Sequence, residues 1–264
     1  MSEETAVLHF STDGIATVTL NRPEVHNAFD EELIERLADM FDDLGNQEGV
    51  RAVVVAAAGK SYCAGADLNW MKRAAGFTEE DNREDALSLG RMLKNLQDIP
   101  KPTIALVQGA AYGGGLGLVS ACDIAIGVKT AKFCLSEVKL GLLPAVISPY
   151  VVEAIGIRAS RRYFQTAEVF GAEEAYRLGL LHEVVDDVHL LAEARDRILE
   201  KVRGNAPGAM ADSKDLIYTV AGRPIDQDVI NETADRIASR RTTDEAKEGI
   251  GAFLEKRKAS WNNS

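Results

Sequence analysis

The chain has 264 residues, 46% of them hydrophobic and 27% charged, and its 41 acidic against 30 basic side chains leave a net charge of −11 at pH 7. That length supports a full core in one large domain, or one domain with a small appendage. The acidic balance argues against a general nucleic-acid or membrane-surface role, yet a local basic patch can still hold an anionic ligand.

Along the chain, Met1-Ser-Glu-Glu-Thr is acidic and carries the marks of neither a secretory signal nor an Arg-rich transit peptide. Residues 7–10 and 16–20 flank Asp13-Gly14, a hairpin signal. From Asp30, a plausible N-cap, Leu33, Ile34, Leu37, Phe41 and Leu44 recur at helical spacing. Residues 52–57 form a near-continuous apolar run, as expected of a buried strand. A Gly-containing loop over 59–67 follows, then a charged, mostly helical segment to about Gln97. Pro100 and Pro102 end that segment, because a residue before proline leaves the helical region. Residues 103–107 read as the next buried strand, and Gly113-Gly114-Gly115 opens a short helix ending near Ala121. Residues 123–128 and 131–135 read as further strands. From Ser148 the pattern is almost entirely helical, interrupted near 182–185 and at Asn205-Ala206-Pro207. The class is therefore α/β, divided into a core over 1–204 and a helical region over 205–264.

No apolar run reaches the length of a membrane span. Cys63, Cys122 and Cys134 show no C-x-x-C spacing, their odd count suits a reducing compartment, and the four histidines form no zinc-like cluster. The expectation is a soluble cytoplasmic protein. Two familiar patterns are incomplete. Gly59-Lys60-Ser61 resembles the end of a phosphate loop, but Val54 stands where its first glycine belongs. Gly115-Leu-Gly117-Leu-Val-Ser120 imitates a dinucleotide fingerprint, but that reading explains neither the third consecutive glycine nor the earlier loop Ala64-Gly65-Ala66-Asp67.

Those two loops each follow a buried strand and each expose small residues. Backbone N–H groups approach a ligand closely only where no side chain intervenes, and at a helix start they also carry the positive end of the dipole. Each loop read singly is a tight turn or half of a site. Two such donors, one from each strand end, could converge on one oxygen, and Glu137 follows them in the chain.

The stretch Gly113-Gly114-Gly115-Leu116-Gly117, running through Cys122-Asp123 to Ser136-Glu137, resembles the enoyl-CoA hydratase/isomerase (crotonase) family. The similarity extends to Asn21-Arg22-Pro23 with Asn27-Ala28, to 64–68, and to Glu248-Gly249 with residues 252–258. The resemblance implies a ββα spiral core with a helical C-terminal trimerisation region, assembling as a homotrimer or a dimer of trimers. It implies that Ala66 and Gly114 hold a thioester carbonyl as it becomes an enolate, and that Ala28, Ala64, Asp67 and Leu68 line the substrate. Phe253 and Lys256 would hold the adenine and phosphate end of coenzyme A, often for a neighbouring subunit; a solvated helix end is the other reading of that basic stretch. The partner so implied is an acyl-CoA, with no nucleic acid and no membrane. No cofactor is implied beyond the coenzyme A of the substrate itself.

In the family's two-glutamate hydratases an acid stands at each end of a twenty-residue frame. Here the second is Glu137, and Gly117 occupies the place of the first. Glu137 is thus the one acid matching a catalytic position, suited to proton transfer beside the thioester. Residues 67–73 and 133–150 look like the branch that acts on branched glutaconyl-CoA esters such as methylglutaconyl-CoA. The expectation is a hydratase of that branch. The alternatives are a double-bond isomerase using Glu137 alone, and a non-catalytic acyl-CoA-binding or RNA-associated protein on the same scaffold.

Overall fold

The computed structural model describes residues 4–262. Most of the N-terminal stretch read for targeting signals, residues 1–3, lies outside the described residues. A six-stranded sheet runs in the order β1 (Ala6–Phe10), β2 (Ile15–Leu20), β3 (Ala52–Ala57), β4 (Thr103–Val107), β6 (Ile124–Val128) and β9 (Glu183–Val185). Only β1 and β2 are antiparallel, joined by the expected tight turn. The others are parallel, with Ala105 opposite Val55 on one side and Ala125 on the other. Strands buried on both faces explain the near-continuous apolar runs at 52–57 and 103–107.

A second, three-stranded sheet is built from β5 (Ala110–Tyr112), β7 (Lys132–Cys134) and β8 (Phe170–Gly171). The chain winds through both sheets. β4 in the first leads directly to β5 in the second, and β6 likewise leads to β7. An isolated parallel bridge from Cys63 to Ala111 makes residue 63 the corresponding point of the preceding turn. This is the expected ββα spiral.

Helix α1 (Glu31–Asn46) begins at Asp30, whose carboxylate accepts the Leu33 N–H, and it buries Leu33, Ile34, Leu37, Phe41 and Leu44. The charged segment that follows β3 is two helices, α2 (Leu68–Ala74) and α3 (Glu79–Asp98), with Thr78 and Asp81 forming a capping box at the break. Helix α3 packs on α1 through Met92, Leu93 and Leu96. Helix α4 (Gly114–Ala121) is apolar and buried around most of its circumference, between the sheets and α5 (Ser148–Thr166).

The chain continues through α6 (Ala172–Leu178) and α7 (Leu190–Gly204) to α8 (Pro207–Val220), α9 (Gln227–Thr242) and α10 (Asp244–Glu255). Of these, α8 is tied to the sheet by an ion pair, and the end of α7 and Trp261 are tied to Arg51. Lys214 pairs with Asp123 at 2.8 Å, and that carboxylate also accepts the Thr103 N–H and hydroxyl. The Arg51 guanidinium donates to the carbonyls of Val202, Arg203, Asn205 and Trp261. Among the described residues, no helix is long and apolar enough to cross a membrane.

Candidate active site

The site is assembled from three chain segments that leave the sheets close together. The first is the turn at 22–29. His26 and Asn27 both take left-handed backbone angles, with φ of 57° and 55°. Asn27, wholly buried, has every side-chain group in use: Nδ2 donates to the Ala58 and Ser61 carbonyls, and Oδ1 accepts the Arg22 N–H. This turn is thereby fastened to residues 58–61, the stretch that resembles a phosphate loop; there Ser61 Oγ also meets His26 Nδ1 at 3.1 Å, and Gly59 lies close against Pro23.

The second segment, 64–67, runs alongside the first. Ala64 N–H donates to His26 O at 3.0 Å, Phe29 N–H to Gly65 O at 2.7 Å, and Asp67 N–H to Phe29 O at 2.7 Å. In this parallel bridge the groups facing Phe29 belong to Gly65 and Asp67, so the N–H of Ala66 points the other way. Asp67 then starts α2, accepting from the N–H groups of Asn69 and Trp70. Arg22 joins Asp67 at 3.3 Å and Asp30 at 2.8 Å, so one guanidinium holds the N-caps of both α1 and α2. Burial alone would raise the Asp67 pKa; the two backbone N–H groups and Arg22 outweigh it and hold the carboxyl below its ordinary value.

The third segment follows β5. Gly113 has φ 49° and ψ −120°, a conformation that disfavours any side chain, and its N–H is taken by Cys134 O at 3.0 Å. Gly114 is the first residue of α4, where an N–H has no intrahelical partner. Among the described residues neither the Ala66 N–H nor the Gly114 N–H donates to any protein group. The two loops touch: a Cβ built on Gly65 would lie 3.2 Å from Tyr112 O, and one on Gly113 would lie 3.8 Å from the Gly65 Cα.

Glu137 opens a single 3-10 turn, Glu137–Leu140, directly after β7. Its carboxylate faces Gly113, with Oε1 3.1 Å from where a Gly113 Cβ would stand. Oε2 is buried without a hydrogen-bond partner among the described residues. Burial pushes the pKa of Glu137 up, and the hydrogen bond from its own backbone offsets this only in part.

At the other end of the frame, Gly117 is enclosed. A Cβ there would lie 2.4 Å from Cγ2 of Ile147 and 3.6 Å from Cδ1 of Leu93. Both side chains are buried, and the β-branched Ile147 has little rotamer freedom with which to withdraw. Apolar packing thus fills the place where an acid would stand.

The structure therefore brings Ala28, Ala64, Ala66, Asp67, Gly114 and Glu137 into one cluster, with Leu68 exposed at its rim. Phe253 and Lys256 lie elsewhere, at the end of α10, which packs on α9; Phe253 is 81% exposed and Lys256 caps the helix in a left-handed conformation. Sequence reading passed over two residues that shape the cluster, Phe29 and Ile147. Each is a lone apolar letter beside a motif, and an ordinary core residue looks the same. Among the described residues no three of His, Cys, Asp and Glu come together as metal ligands.

The profile of the enoyl-CoA hydratase/isomerase family matches residues 11–264. The chain belongs to that family. Its family relatives include the short-chain-enoyl-CoA hydratase of Clostridium acetobutylicum, 32% identical over 92% of each chain. Another is the crotonyl-CoA hydratase of Syntrophomonas wolfei, 30% identical over 99% of each. Among solved structures, an enoyl-CoA hydratase from Shewanella pealeana superposes with a TM-score of 0.94, at 43% identity, covering 98% of this chain and 96% of that one. The crotonase-like fold expected from the motifs is the fold observed.

Proposed function

We propose that the chain is an enoyl-CoA hydratase in which one carboxylate performs both proton transfers. The observation that carries this reading is the pair of unpartnered N–H groups, Ala66 and Gly114, beside the half-buried carboxylate of Glu137. The thioester oxygen of a 2-enoyl-CoA accepts from both donors, each worth about 3 kcal/mol as negative charge develops on that oxygen. Ionised Glu137 takes a proton from water as the hydroxide oxygen bonds to carbon 3, and the double-bond electrons move onto the thioester as an enolate. Neutral Glu137 then returns the proton to carbon 2. The product is a 3-hydroxyacyl-CoA, and the carboxylate is regenerated. A pKa raised by burial suits a group that must both accept and donate. The cycle calls for no cofactor beyond the coenzyme A of the substrate.

The acyl group we propose is a branched glutaconyl chain such as methylglutaconyl, on the likeness of 67–73 and 133–150 to that branch. Its second carboxylate calls for a nearby cation. Arg73 is held by Glu31 at 2.5 Å, whereas Lys72 and Lys139 form no ion pair among the described residues. We also propose a cytoplasmic homotrimer or dimer of trimers, in which the exposed Ile225, Phe253 and Leu254 are covered and Phe253 and Lys256 serve a neighbour's coenzyme A.

One observation favours a second reading. With Ile147 packed against Gly117, no acid stands at that end of the frame, and Glu137 alone suffices for a double-bond isomerase that moves a proton between carbons 2 and 4. Incubating the protein with 2-enoyl- and 3-enoyl-CoA esters in heavy water separates the two. A hydratase adds the mass of water to the 2-enoyl esters, methylglutaconyl-CoA fastest. An isomerase converts 3-enoyl to 2-enoyl esters, adds no water and leaves deuterium at carbon 4. No change in any ester would leave a binding protein.

A further inference from the structure

Phe29 is 1% exposed and makes contact with both donor loops. Its backbone carries the bridge to residues 65–67, with N–H to Gly65 O and carbonyl to Asp67 N–H, both at 2.7 Å. That bridge turns the Ala66 N–H outward. Its ring lies on the other loop: Cδ2 and Cε2 would each be 2.8 Å from a Cβ built on Gly114. The ring therefore rests directly on the Gly114 Cα. A rigid six-membered ring spans the gap, and the turn behind it is immobilised by Asn27 and by the Arg22 contacts to Asp30, Asp67 and the Ala28 carbonyl.

We infer that Phe29 is a positioning residue, the spacer that fixes how far apart the Ala66 and Gly114 N–H groups stand. It is shielded from solvent, so it acts through those donors. Two donors aimed at one oxygen lose their joint effect when their separation drifts, and misplacement by about 1 Å is worth about a hundredfold in rate. The inference rests on Ala66 and Gly114 being the oxyanion donors, and it holds for hydratase and isomerase chemistry alike.

The test compares two ligands in the whole protein. Acetoacetyl-CoA can bind as an enolate, which has its own near-ultraviolet absorbance and places charge on the thioester oxygen; saturated butyryl-CoA cannot. Phe29→Leu should weaken the enolate signal by about tenfold or more and leave butyryl-CoA affinity within about threefold. In turnover, kcat falls and KM holds. Phe29→Met, closer in volume, is read alongside in case Phe29→Leu does not fold. Gly114→Ala drives a methyl into the ring, so it should cost the enolate signal far more in wild type than in the Phe29→Leu background, a positive coupling in a double-mutant cycle.

Folded Phe29 variants that keep the enolate signal, or lose both ligands equally, would overturn the inference, as would additive losses with Gly114→Ala. Failure of wild type to favour the enolate over butyryl-CoA would instead remove the donor pair on which it rests.

Discussion

The two ends of the twenty-residue frame, Gly117 and Glu137, have opposite physical characters. At Gly117 the space is filled by apolar side chains, with Ile147 and Leu93 leaving no room for a side chain. At Glu137 a carboxylate is half-buried with one oxygen unpartnered, held at a cost to the fold. An unpaired acid is tolerated where it has work to do; the apolar end has been sealed as ordinary core. The difference indicates that missing acidity at 117 is built in by its neighbours, so restoring a glutamate there is a packing problem before it is an electrostatic one.

The largest effect should come from the charged end. Glu137→Gln removes proton transfer with little change in volume, and turnover should fall by about 10² or more while butyryl-CoA affinity stays within a few-fold. Turnover within about threefold of wild type would show that the chemistry lies elsewhere. The sealed end responds differently. Gly117→Glu should cost about 1–3 kcal/mol of stability through overpacking and slow every ester alike. Adding Ile147→Ala should restore the melting temperature and raise crotonyl-CoA hydration above that of the single variant. If Gly117→Glu alone melts like wild type, the packing account of that end is wrong.

Between the two ends lies the loop that presents Ala66. Asp67→Ala removes the α2 cap and an Arg22 partner, and should cost about 1–2 kcal/mol, with turnover suffering more than binding. Chemical denaturation and initial rates would measure both.

The smallest effect is a matter of pH. Glu137 binds its proton more tightly folded than unfolded, so stability falls as pH rises from its ordinary value of 4.5 through the raised folded value. Above that window the ionised side chain burdens the fold, and Glu137→Gln should melt higher than wild type. Below it the difference should vanish. The same shift places the acid limb of kcat/KM above the ordinary carboxylate range, since catalysis starts from the ionised form. A limb at the ordinary value, with identical melting at every pH, would mean that Glu137 is well solvated.

How much of this could be read from the letters depended on range. The apolar runs at 52–57 and 103–107 announced strands because burial on both faces leaves a continuous signature. Strands β5 and β8, three and two residues long, are too short for any periodicity and exist because the spiral sets a neighbour beside them. The Asp30 cap and the α1 stripe were legible as local events; the break between α2 and α3 was not, since both sides are charged and helical. In the site, small residues and a lone acid marked the loops. The packing of Ile147 on Gly117 joins residues thirty positions apart, and the Phe29 ring meets Gly114 across a still longer separation. Contacts of that kind are made by topology and leave no local trace.

The bridge between Phe29 and Ala66 also bears on which changes of length the chain can accept. Residues 58–67 resemble a surface loop of the sort that ordinarily accepts insertions and deletions, and Ala64 and Ala66 are solvent-exposed. Along a bridged strand, however, successive N–H groups alternate in direction. One residue gained or lost between Ser61, anchored by Asn27, and Ala66 would either break the bridge to Phe29 or seat a neighbour of Ala66 opposite Phe29, turning the Ala66 N–H inward. Substitutions at 64 and 66 keep the same backbone N–H on the outer side of the bridge, whereas a single-codon insertion or deletion would change which residue supplies it.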